Sequence, residues 1–336
     1  MELRFAAGDE DAGTRLDAFL ASHIQSWSRS RLRRLIDDAD VLVNGSPAKP
    51  SYKLRENDEI EVELTELPPA TFEPENIPLD IVYEDEYLAV INKPAGMIVH
   101  PGSGVTGGTL ANAIAFHFRS SPPYASGVPA AASASGVDVG GVAAASADGV
   151  VLSQRVGIVH RLDKDTSGLI VVAKDDQTAE ELSRQFHDRE VEKSYIALVH
   201  GVLEENSGTI DAPLARDKHN RTRMRVAAHG RTALSLWKVK SRYDKFTLLD
   251  VEIKTGRTHQ IRVHLASINH PVVGDETYNS GRDKTVADLT IRKAIADLGR
   301  FFLHAEKLAF THPKTGERLT FNQDLAPELR QFLDVL

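Results

Sequence analysis

Residues Gly157–Lys174 read GIVHRLDKDTSGLIVVAK. The second half contains Leu169–Ala173 (LIVVA), an uncharged aliphatic run with the composition of a strand buried on both faces. The first half sets an Arg-Leu-Asp step ahead of a Thr-Ser-Gly turn, so Asp163 is expected to sit rigidly at the edge of that strand. On chemistry alone Arg161 and Asp163 read equally well as a structural ion pair, because aspartate is common in turns.

Working outward, Asp176–Arg189 has Ala179, Leu182 and Phe186 on one helical face. Ser194–His200, Ala233–Arg242 and Phe246–Lys254 read as strands, Arg257–Ser267 as a helix, and the terminal PELRQFLDVL as a closing helix. Upstream, Ile77–Asn92 offers strand material and Thr109–Phe118 a short helix. Between them and the opening stretch lies Ser120–Gly149, built almost wholly of Ala, Ser, Gly, Val and Pro. Such a composition builds no core, and it has no Lys or Arg to hold phosphate, so it reads as a flexible spacer. Glu66–Asn76 (ELPPATFEPEN) has three prolines and reads as an extended linker.

Ahead of that linker, Leu16, Phe19 and Leu20 make Thr14–Ser22 an amphipathic helix, and Ser28 can cap a second one, SRSRLRRLIDDA. Val41–Gly45 (VLVNG) is a strand entering an Asn-Gly turn, and Asp58–Leu64 alternates as a second strand. Hairpins mixed with scattered helices predict an α+β fold with a mixed, mainly antiparallel sheet. The expected organisation is a small α/β unit over 14–65, a linker over 66–76, and a larger domain over 77–336 with a low-complexity insertion at 120–149.

The chain has 336 residues, which at about 150 per domain also suggests two domains. It has no cysteine, which excludes a disulfide scaffold, thiol catalysis and cysteine-ligated metal. No apolar run approaches a membrane span and the N-terminus lacks a signal-peptide pattern, so a cytoplasmic protein with no membrane partner is expected. The net charge of −8 argues against a generic nucleic-acid binder. That average hides a cluster. Between Arg216 and Arg262 stand thirteen Lys or Arg against four acids, a net of +9.

Several motifs fail on inspection. Gly102–Gly107 matches G-x-G-x-x-G, but the acid a dinucleotide site needs about 20 residues on would fall within the insertion, and a P-loop would need Lys where Gly108 stands. His259 and His264 are five apart, not the four of a helical zinc pair, and no metal is expected. His160-Arg161-Leu162-Asp163 echoes a kinase loop, but the other kinase motifs are missing.

The stretch H-R-L-D-K-D-T-S-G-L resembles the central motif of the RluA-type pseudouridine synthases. Asn92-Lys93-Pro94-Ala95-Gly96, Glu192-Lys193-Ser194-Tyr195-Ile196-Ala197 and Gly256-Arg257-Thr258-His259-Gln260-Ile261-Arg262-Val263-His264 resemble three further motifs of that family, in order. The N-terminal part resembles the S4 RNA-binding module. The S4-like part and the HPGSG and GTLANAI stretches are most similar to the D type of large-subunit synthases.

The resemblance implies that uridine is isomerised to pseudouridine without a cofactor. The C1′–N1 bond breaks, uracil turns, and C5 rejoins the sugar, so nothing is oxidised and no group enters. It implies Asp163 as nucleophile, Arg262 as the cation that keeps it ionised, with Arg257 as second choice, and Tyr195 stacked on the base. Arg161 would fill the space a flipped uridine leaves. The implied partner is 23S ribosomal RNA of the large subunit or its precursor, met by a monomer. Arg29, Arg31, Arg33 and Arg34 of the S4-like helix, and Lys218, Arg221, Arg223 and Arg225 of the basic run, are expected to hold RNA phosphates. A tRNA or mRNA target, or a ribosome-assembly protein that kept the fold and lost the chemistry, are the alternatives.

Overall fold

The computed structural model describes residues 2–24, 32–33, 35–36, 40–63, 73–100, 105, 107–120, 157–217, 220, 223–228 and 230–336. Residues 121–149 of the insertion, and Arg29, Arg31, Arg34, Lys218 and Arg221, lie outside them. The chain divides into two compact units, Met1–Ala70 and Thr71–Leu336.

In the first unit, β1 (Glu2–Ala6), β4 (Glu59–Glu63), β2 (Val41–Val43) and β3 (Ser46–Pro47) form an antiparallel sheet in that order. The helix α1 (Leu16–His23) buries Leu16, Phe19 and Leu20 with Leu32, Leu35 and Ile36 against Val41, Ile60 and Val62. Asn44 and Gly45 both have positive φ, 51° and 72°, the conformation a two-residue hairpin turn requires. Asp58, buried behind that turn, accepts hydrogen bonds from the Asn44 amide, the Tyr52 hydroxyl and the Arg55 N–H. The strand β1 precedes the first residue assigned to this unit from the sequence.

In the second unit the described residues form a ten-stranded sheet. Its path runs β10 (Ser207–Asp211), β13 (Leu234–Arg242), β14 (Phe246–Ile253), β9 (Glu192–His200), β15 (Leu303–Thr311), β8 (Ser167–Ala173), β6 (Leu88–Lys93) and β5 (Ile81–Glu84). To it β7 (Gly157–Ile158) adds beside β8, and β16 (Arg318–Asn322) beside β15. A separate hairpin pairs β11 (Leu214–Arg216) with β12 (Met224–Val226). All pairings are antiparallel except β15 with β8, where His304 faces Ser167 and Ala305 faces Gly168. Gly168 has φ 109°, and a Cβ there would lie 2.3 Å from the Ala305 carbonyl oxygen, so the junction demands glycine.

The aliphatic run of β8 is buried along its whole length. Ile170 and Val172 join the larger core, while Leu169, Val171 and Ala173 pack with Leu182 of α3 (Asp176–Asp188) and Phe310 on the other face. Among the described residues, four more α-helices belong to the unit: α2 (Leu110–Ser120), α4 (Gln260–Ser267), α5 (Leu289–Leu298) and α6 (Pro327–Leu333). Part of the stretch read as linker is tied down here. Glu75 accepts from Gly108 N–H, and the Asn112 amide donates to the Glu73 carbonyl. Among the described residues, no helix is long and apolar enough to cross a membrane.

Candidate active site

Asp163 stands in the loop just before β8. Leu162, buried in the larger core, anchors one side of it, and Thr166 N–H donates to the Asp163 carbonyl at 3.1 Å on the other. The following carbonyl, of Lys164, accepts from Gly96 N–H at 3.0 Å and from the Lys93 ammonium at 3.0 Å. Lys93 is fully buried and also donates to the carbonyls of Pro94 and Met97, at 2.8 and 2.9 Å. Burial draws its pKa down to about 7. The two glycine-containing loops are therefore stitched together through one lysine.

Arg262 reaches the same place from α4. Its Nη1 donates to Asp163 Oδ2 at 3.0 Å, while Nε and Nη2 grip both oxygens of Asp275 at 2.7 and 2.9 Å. The guanidinium lies over the Phe301 ring, 4.2 Å from its centroid, with Tyr278 5.1 Å away. Burial opposes its charge, but the two carboxylates outweigh that and push its pKa upward.

The rest of the GRTHQIRVH motif is explained by this placement. Gln260 accepts from Thr255 Oγ1 and Arg257 N–H, and donates to the Leu234 carbonyl and Ser235 Oγ. His264 bonds Ser235 Oγ and the Ala212 carbonyl, both at 2.9 Å. His259 has φ 55°, which breaks the regular helix, so α4 starts at Gln260 rather than at Arg257. The Tyr278 hydroxyl accepts from Met224 N–H and shares a hydrogen bond with His259 Nδ1 at 2.8 Å.

Two cavities meet at Asp163. One, of about 1240 Å³, extends to residues 274–300, and the other, of about 570 Å³, holds Tyr195, Lys193 and Arg257. Arg161, Asp163, His259 and Arg262 line both. Tyr195 points inward from β9 and is 7% exposed. Among the described residues its hydroxyl has no hydrogen-bond partner, and burial together with the Asp163 charge raises its pKa. The phenol is thus held protonated.

The structure brings together Asp163, Tyr195, Arg262, Arg161 and Arg257. Arg257 Nε donates to the Thr232 carbonyl, and burial with the nearby charges of Arg231 and Arg189 pulls its pKa down. Three clustered cations suit a phosphate. Arg223 lies over Tyr278 at 5.2 Å, and β12, which carries Arg225, packs on α4. Arg33 lies in the first unit, exposed. Sequence reasoning missed Asp275, which has no neighbouring motif beyond G-D-x-x-Y to signal it, and the clamp made by Lys93. No group of three or more His or acidic residues arranged to hold a metal occurs among the described residues.

A fold of this kind, with a half-buried carboxylate held by a buried arginine beside a tyrosine, fits the comparisons with known proteins. The RNA pseudouridylate synthase family model matches residues 87–267 and the S4 domain model residues 14–60, and the chain belongs to the RNA pseudouridylate synthase family. It is 38% identical to an uncharacterized RNA pseudouridine synthase of Bacillus subtilis over 335 residues, spanning 100% of this chain and 98% of that one. It is 39% identical to ribosomal large subunit pseudouridine synthase D of Nitrosomonas europaea over 329 residues, 98% of this chain and 86% of that one. Human RNA pseudouridylate synthase domain containing 1 shares the fold, with TM-score 0.52 and 24% identity over 79% of this chain and 90% of that one.

Proposed function

We propose that this protein converts uridine to pseudouridine in large-subunit ribosomal RNA, in the cytoplasm and without a cofactor, with Asp163 as the nucleophile. The observation that carries this reading is Asp163 itself. It is the carboxylate shared by both cavities, and a buried arginine holds one of its oxygens. Fixing the carboxylate before substrate arrives lowers the ordering cost of attack. The ribosomal target is supported by the synthase D relatives and by the S4 match.

In this reading the target uridine leaves its stack and enters the smaller cavity, where the Tyr195 ring lies against the base. A protonated phenol is a poor resting base, so Tyr195 acts first as platform and donor. Arg161, exposed at the rim, takes the place of the displaced base. Arg257, Arg223 and Arg225 hold neighbouring phosphates.

Pseudouridine mapping in ribosomal RNA from cells lacking the protein, rescued by wild type or by Asp163→Asn, tests the function. Sites should vanish on deletion and return with wild type only. An unchanged ribosomal map alongside lost sites in tRNA would move the substrate. A trapped adduct located by mass spectrometry on uracil C6 or sugar C1′ decides which atom Asp163 attacks.

A further inference from the structure

Two residues before Tyr195, on the same face of β9, stands Lys193. Its ammonium lies 5.1 Å from the Phe186 ring and lines the smaller cavity with Asp163 and Tyr195. Among the described residues it has no hydrogen bond and no ion pair. The imidazole of His160, stacked on Phe186 at 4.5 Å, is neutral, because burial and the Lys193 charge pull its pKa down to about 3. Its Nε2 accepts from Val171 N–H at 3.0 Å.

A largely desolvated ammonium without a partner is costly unless something fills its donors in the working state. The other buried cations nearby are already occupied. Arg262 holds two carboxylates, and Lys93 holds three carbonyls.

We propose that Lys193 is a catalytic residue that donates a hydrogen bond to a carbonyl oxygen of the target uracil and stabilises the negative charge gathering there during the isomerisation. This rests on the reading of Asp163 as nucleophile. When C1′–N1 breaks, its electron pair stays with uracil and spreads over N1, O2 and O4. If Asp163 adds to C6 instead, the pair displaced from the C5–C6 double bond moves onto O4. On either route charge builds on a ring oxygen. The new C1′–C5 bond then uses a ring pair, the Asp163 bond to C1′ or C6 breaks and returns the free carboxylate, C5 gives up its proton to a base, N1 takes one up, and Lys193 keeps its own. The burial that draws Lys193 down to about 8 leaves the ammonium the main form at neutral pH. The role is that of an oxyanion-hole donor, placed where charge develops.

The test is single-turnover release of tritium from RNA labelled at uridine C5, with RNA affinity measured in parallel, for the full-length wild type, Lys193→Met, Lys193→Arg and Asp163→Asn. Lys193→Met should react about a hundredfold more slowly with RNA affinity unchanged, which also shows that the variant is folded. Lys193→Arg should recover a substantial part of the lost rate. A Lys193→Met rate near wild type, a loss of rate matched by a loss of affinity, or no recovery in Lys193→Arg would each overturn the proposal. Failure of Asp163→Asn to abolish release sinks the nucleophile reading separately.

Discussion

Arg262 presents only Nη1 to Asp163, because Asp275 occupies its Nε and Nη2 in a bidentate grip. The rotamer of the arginine is set by Asp275, which is 1% exposed, and the position of Asp163 follows from it. Asp275→Asn keeps the shape and weakens the grip. It should cut the single-turnover rate by about tenfold to a hundredfold and leave RNA affinity within a few-fold of wild type. Equal losses in rate and affinity would point to a folding defect instead.

Lys93 supplies the other constraint on the loop that holds Asp163. Lys93→Met takes a buried donor from the Pro94 and Met97 carbonyls and leaves the Lys164 carbonyl with Gly96 N–H alone, at a cost of about 2–4 kcal/mol. The urea midpoint of the full chain should fall accordingly, and turnover should fall with it, since the Lys164 carbonyl loses one of its two ties.

The N-terminal unit has an acid-sensitive point. Burial raises the pKa of Asp58, but hydrogen bonds from Arg55 N–H, Asn44 and Tyr52 outweigh it and hold the carboxyl below its ordinary value. A depressed carboxyl contributes stability that is complete above the unfolded value of about 3.9 and is lost as pH falls below it. Hydrogen exchange of β2 and β4 amides should accelerate in that acid range in the wild type. Asp58→Asn should weaken their protection already at neutral pH, by about 1–3 kcal/mol.

RNA affinity should divide between the units. Changing Arg223 and Arg225 to Gln should weaken binding and flatten its salt dependence by about 0.7–0.9 in slope for each phosphate no longer neutralised. Neutralising Arg31 and Arg34 should do the same on long ribosomal fragments while sparing turnover on a minimal stem-loop. Equal loss of turnover on that stem-loop would contradict the division.

Gly168→Ala should destabilise the catalytic unit by about 3 kcal/mol or more, because the new Cβ meets the Ala305 carbonyl at 2.3 Å. A melting temperature unchanged in that variant would mean that the β8–β15 junction is softer than its geometry implies.

Where local composition and tertiary role agree, the chain is readable. The LIVVA run is a strand buried on both faces, and Asn44-Gly45 is a tight turn, because each residue type there has one favoured use. The centre of the sheet was not legible. The strand β15 reads LHAEKLAFT, dominated by Leu, Ala, Glu and Lys, which favour helices, and the residue pattern marks no element over residues 268–326. Its conformation comes from pairing with β9, β8 and β16. In the site, the family resemblance pointed to Asp163 and Arg262, whereas Asp275 and the orphan state of Lys193 depend on distant neighbours.

The position of β15 has a consequence for synthesis. The chain makes Asp163 and Tyr195 well before it makes residues 303–311, yet that late strand lies between β8, which follows Asp163, and β9, which carries Tyr195. Without it, the described pairings leave β5, β6, β7 and β8 as one ribbon and β9, β14, β13 and β10 as another. Closing the sheet by a pairing so remote in sequence is slow compared with local pairing. A nascent chain still short of residue 311 therefore carries Asp163 and Tyr195 on two ribbons that β15 has not yet joined.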